Sequence, residues 1–121
     1  MLRFKTDEVA GEWRDGRLSL RLRAVVRFVD SWVKEQCGFD IVLTSIFRPQ
    51  TTDSGVHATW RGVDIRTRDW PEGVAETLAR EVNQIFRYDV SRPQMKTALV
   101  HDVGQGTHLH LQVKAGEGAW G

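Results

Sequence analysis

Two histidines, His108 and His110, stand in the run G-T-H-L-H-L-Q-V at 106 to 113. The strict alternation of polar and apolar residues puts both on one face of a strand. A half-exposed polar face is the simplest use for such a pair. Imidazole is also a metal ligand and a proton carrier near neutral pH, so the pair gains meaning if other ligands can meet it. His57 and Asp64 are the other candidates, seven residues apart, the first in a loop and the second in the strand that follows. Taken alone they could equally be a solvated pair or a surface salt bridge. With one histidine of H-L-H they would make the three protein ligands of a catalytic zinc site, which leaves a fourth position for water. Cys37 is the only cysteine, so no internal disulfide or Cys-rich zinc knuckle can form and a metal must be held by His and carboxylates.

The elements that would carry these residues follow from periodicity. Leu18, Leu22, Val25, Val29 and Val33 form a helical stripe over Leu18 to Gln36, with Arg23, Arg27 and Lys34 off it, and Gly38 ends the helix. The β-branched and aromatic run after it predicts a buried strand over Asp40 to Ile46, stopped by Pro49. Residues Gln50 to Gly55 read as loop, and G-V-D-I-R-T from Gly62 as a second strand. Asp69, Pro71 and Glu72 predict the start of a second helix, running to about Phe86. Two apolar-rich runs flanking G-Q-G then predict a hairpin. The expected order is helix, strand, strand, helix, strand, strand: an α+β domain with helices on a small antiparallel sheet. A single domain is expected over 1–121, with its core at 18–114 and a frayed tail.

Composition narrows the partners. With 40% hydrophobic and 27% charged residues the chain reads as globular rather than disordered. A net charge of +1, with Lys and Arg scattered, lacks the basic stripe of a nucleic-acid binder. No run of about 18 apolar residues occurs, and the N-terminus lacks an apolar signal region, so the chain is expected to be cytoplasmic as synthesised, with no membrane partner.

Read together, H-A-T-W-R-G-V-D-I-R-T at 57 to 67 and H-L-H-L-Q-V-K at 108 to 114 resemble the D-alanyl-D-alanine carboxypeptidase-like zinc peptidases. That superfamily includes vancomycin-resistance dipeptidases, phage endolysin L-alanyl-D-glutamate peptidases and the hedgehog signalling domain. The resemblance covers most of Leu18 to Lys114. It implies a hedgehog-like fold with one Zn2+ per chain, held by His57, Asp64 and His110. It implies that His108 faces the substrate, and that Arg48, in S-I-F-R-P, holds a substrate carboxylate or carbonyl. A surface arginine closing a strand end is the plainer use of Arg48. The implied activity is hydrolysis of peptidoglycan stem peptides at bonds involving D-amino acids, as carboxypeptidase or endopeptidase, by a monomer. A small domain without a leader matches a phage or prophage lysis enzyme, released to the wall with another protein's help.

The chain departs from these relatives at the proton-transfer group. They place an acid three or six residues before the last His; here those positions are Thr107 and Gly104. Asp102, His101 and His108 are the candidate substitutes. A three-residue turn at 104–106 pairs Asp102 with His108, whereas a two-residue turn sets His101 opposite His110. Asp102 also reads as a turn-flanking acid, and His101 as a rival third metal ligand. Relatives also carry Ser two residues ahead of the first ligand and Gly three after it, where this chain has Gly55 and Trp60. Ser54 stands three ahead. Of the five tryptophans, Trp32 is assigned to packing and Trp60 either packs or lines a cleft. The missing acid leaves a second reading, a zinc-stabilised binding module without hydrolysis. A metal-free structural domain would require both motifs to coincide by chance.

Overall fold

A computed structural model describes residues 2–48, 57, 59–102 and 106–115. The tail from 116 onward, the 49–56 segment with Ser54 and Gly55, and Gly104 lie outside these residues. The chain forms an α+β fold: β1 (Arg3–Phe4), α1 (Asp7–Trp13), α2 (Leu20–Cys37), β2 (Val42–Ser45), β3 (Gly62–Arg66), α3 (Val74–Ile85), β4 (Ala98–Asp102) and β5 (Thr107–Gln112). Five strands make one sheet in the order β1-β2-β3-β5-β4. The sheet is mixed rather than antiparallel throughout, because β1 pairs with β2 in parallel.

β1 and α1 were not expected from periodicity. Two residues of β1 are too few to show alternation. The helix start was present in T-D-E at 6 to 8: Thr6 caps α1 by accepting from the Val9 N–H at 3.2 Å, with Asp7 and Glu8 favourably placed in the first turn. Val9 and Trp13 then bury against the common core.

α2 starts at its Ser19 cap, whose hydroxyl accepts from Leu22 N–H at 3.1 Å. Leu18 and the stripe Leu22, Val25, Val29 and Val33 are all buried. Gly38 takes φ +82, where its N–H meets the Lys34 and Val33 carbonyls and an L side chain would be strained. The second helix begins later than Asp69, Pro71 and Glu72 predict. Gly73, at φ +84, breaks the helical dihedrals and becomes the N-cap, so residues 72–73 form a turn and α3 opens at Val74. Trp32 packs as expected, its indole N–H donating to Glu81 across the α2–α3 pair at 2.6 Å.

One sheet face carries Val63, Ile65, Leu109 and Leu111, all fully buried in the core that includes α2 and α3 side chains. Among the described residues no helix is long and apolar enough to cross a membrane.

Candidate metal centre

The other face of β3 and β5 carries the polar set. The two strands are antiparallel with Asp64 directly opposite His110 and Arg66 opposite His108. Alternation puts Asp64 and Arg66 on one face, and His108, His110 and Gln112 beside them. β2 bulges between Leu43 and Ser45, so that Ser45 rather than Thr44 comes opposite Asp64, and Thr44 Oγ1 donates to the Asp64 carbonyl at 3.3 Å. The strand end that follows delivers the Ile46 carbonyl to His57.

His57, Asp64 and His110 converge. Their ligand atoms all lie within 4.8 Å of one another, close enough for one ion to gather with small side-chain rotations. His57 Nε2 is 3.4 Å from Asp64 Oδ2, and His110 Nδ1 is 2.8 Å from Asp64 Oδ1. The imidazole rings of His57 and His110 are 5.2 Å apart. Both histidines are nearly sealed from solvent, at 1% and 5% exposure.

The outer nitrogens decide what the inner ones can be. His57 Nδ1 lies 2.8 Å from the Ile46 carbonyl, which can only accept, so Nδ1–H donates. Gln112 donates its amide N–H to the Lys96 carbonyl at 2.8 Å, and this orients Gln112 Oε1 towards His110 Nε2 at 3.0 Å. His110 Nε2–H therefore donates to Oε1. In the neutral tautomers that result, His57 Nε2 and His110 Nδ1 both aim lone pairs at the oxygens of one carboxylate. Lone pairs facing lone pairs repel, and a cation between them removes the conflict. Two additional protons would serve, and so would one metal ion. Histidine metal ligands commonly donate their other ring N–H to a carbonyl in this way.

Electrostatics agree with a centre built for cations. Burial alone would raise the Asp64 carboxyl, but the two imidazoles, once they carry protons on the nitrogens that face it, donate to it and hold it well below the ordinary carboxylate range. An Arg48 guanidinium nitrogen lies 3.6 Å from Asp64 Oδ2. Arg48 thus lies at the centre rather than merely closing a strand end.

The remaining candidates separate. His101 is directly opposite His108, and Asp102 is opposite Thr107, so four residues connect the paired ends. Neither expected register occurs: Asp102 is one step away from His108, and His101 does not stand opposite His110. The His101 ring nevertheless comes within 5.8 Å of the His110 ring, edge to face. His108 Nδ1 is buried without a hydrogen-bond partner among the described residues. Trp60 packs. It is 8% exposed, stacks on Phe47 at 4.7 Å and lies under the Arg17 guanidinium. Its φ of +60 is a left-handed backbone conformation that ordinarily favours glycine.

Gln112 was missed in the sequence, although it sits two residues after His110 on the same strand face, where period-two reading could have found it. The Ile46 and Lys96 carbonyls leave no such signal. Compared with family models, curated proteins and solved structures, the chain shows no match.

Proposed function

We propose that the chain is a zinc-dependent metallopeptidase acting on peptidoglycan stem peptides, as carboxypeptidase or endopeptidase at bonds involving D-amino acids. The observation that carries the metal is the pinning of two histidines as donors to carbonyl oxygens, with their remaining nitrogens directed at Asp64. Two imidazoles and one carboxylate suit zinc among the common divalent ions. The substrate class rests on the likeness of the His57 to Asp64 and H-L-H motifs to the zinc peptidases described above.

His57, Asp64 and His110 would hold the ion. Bound zinc supplies the Lewis acidity that makes water nucleophilic near neutral pH and polarises a carbonyl. Arg48, beside Asp64, orients a substrate carbonyl or carboxylate with its planar guanidinium. Proton transfer falls to His108 rather than Asp102. His108 Nδ1 has no hydrogen-bond partner among the described residues, which leaves this nitrogen to carry the proton between the attacking water and the leaving amine. Asp102 is out of register with it.

One observation favours a second reading, a zinc-stabilised binding module. Thr107 stands where the similar peptidases carry an acid, and its hydroxyl cannot serve as a general base near neutral pH. Metal analysis followed by digestion of purified peptidoglycan separates the two. About one zinc per chain with new amino termini or released D-alanine supports the peptidase; retained zinc with no cleavage supports the binder. Near-zero metal after zinc reconstitution rejects both. Where cleavage occurs, His108→Ala is expected to lower kcat by about a hundredfold or more and Asp102→Asn to leave it near wild type.

A further inference from the structure

A cleft of about 320 Å³ opens between Phe39, Asp40, Val42, Arg66, Asp69 and Trp70. Its Arg66 lies on the same sheet face as the metal centre. Arg66 follows Asp64 by two residues on β3, a step of about 7 Å along the strand, and stands directly opposite His108. The Arg66–His108 pair is therefore the rung next to Asp64 and His110.

Arg66 differs from the other arginines near acids in this chain. Arg17 pairs with Asp15 at 2.9 Å, and Arg92 with Asp89 at 2.9 Å. Arg66 is half-buried and makes no hydrogen bond or ion pair with a described residue, although two acids share its cleft. Those acids are engaged elsewhere. Asp40 is held by Arg3 at 3.4 Å and Lys34 at 3.6 Å, while Asp69 leans on Arg68 at 4.0 Å out in solvent. A partly desolvated guanidinium with no acid on it is costly to keep, and an incoming carboxylate would satisfy it with paired N–H donors. The rest of the wall is apolar: the Phe39 and Trp70 rings, 6.0 Å apart, and Val42.

We infer that this cleft is a binding subsite for a carboxylate carried on an aliphatic stem, with Arg66 holding the carboxylate and Trp70, Phe39 and Val42 covering the stem. In the metallopeptidase reading, on which this use rests, the group is an acidic part of the peptide lying one rung from the bond cut at the centre. Arg48, already beside Asp64, stays with the reacting carbonyl. Arg66 then selects peptides by a carboxylate about 7 Å further along the sheet.

The test titrates the full chain, metal-free and then zinc-loaded, with hexanoate and with hexanamide, following the Arg66 Nε–H and Trp70 Nε1–H resonances by NMR. Hexanoate is expected to move both signals and to bind about tenfold more tightly than hexanamide, in both states. Arg66→Gln should make the two ligands equal, and Arg66→Lys should restore part of the preference. The inference is overturned if hexanoate moves neither signal up to about 100 mM. It is also overturned if Arg66→Gln binds hexanoate as wild type does, which would place the ligand at Arg48 or the metal centre. Should no muropeptide be cleaved while hexanoate still selects Arg66, the subsite stands and the peptidase reading falls.

Discussion

β3 and β5 present two faces of opposite chemistry from the same two runs of sequence. Towards the helices, Val63, Ile65, Leu109 and Leu111 are fully buried and need only fill volume. On the other face His110 and Gln112 are almost as deeply buried, at 5% each, yet every buried nitrogen and oxygen there needs an opposite number. The apolar face can adjust by repacking. The polar face is a chain of dependencies from the Lys96 carbonyl through Gln112 and His110 to Asp64 and His57. Substitutions on the first face should register in folding stability, and those on the second in ligand affinity.

The largest separation is expected from the ligands themselves. His57→Ala and His110→Ala should abolish zinc binding as measured by metal analysis after dialysis. Wild-type protein should gain about 4 kcal/mol of stability when zinc is at a thousand times its Kd, and both variants should gain none. An equal thermal shift in wild type and variants would place the ion elsewhere. Leu111→Ala attacks the opposite face and should cost about 2 to 5 kcal/mol in urea unfolding. Its folded fraction should still hold one zinc per chain. Loss of zinc from folded Leu111→Ala protein would mean that the two faces are not separable.

Gln112→Ala keeps all three ligands and removes the acceptor that fixes the His110 tautomer, together with its bond to the Lys96 carbonyl. Zinc affinity should fall about 10- to 100-fold by competition with a chelator, as is typical for loss of a partner behind a metal ligand. In the metal-free protein, ¹⁵N NMR should show His110 protonated at Nε2 in wild type and in mixed tautomers in Gln112→Ala. An unchanged tautomer would remove Gln112 from the centre.

The two faces also differ in how far they could be read from sequence. The apolar face and the α2 stripe were legible because burial leaves a period of two or 3.6 in residue type. His57, Asp64 and His110 were legible as ligand types at usable spacing, and the fold brings all three together. The β4–β5 register was not, because G-Q-G is compatible with a two- or three-residue turn as well as with the four-residue connection that occurs. The tautomers were not legible either, since Ile46 and Lys96 act through backbone carbonyls that every residue possesses. At Gly73, a left-handed backbone overrode a plausible capping pattern and delayed α3.

The smallest effect tests where the polar face ends. Thr67, just past β3 and 6% exposed, donates its hydroxyl to the Thr107 carbonyl at the start of β5. Thr67→Val keeps the side chain's shape and deletes that donor, so unfolding should become easier by about 1 kcal/mol. Zinc affinity should stay at the wild-type value, because His110 is oriented by Gln112 and by its register with Asp64, neither of which involves Thr67. A fall in affinity comparable to that of Gln112→Ala would mean that the far end of the strand pair sets the ligand geometry. The centre would then extend through the Arg66–His108 rung, instead of closing at Asp64 and His110.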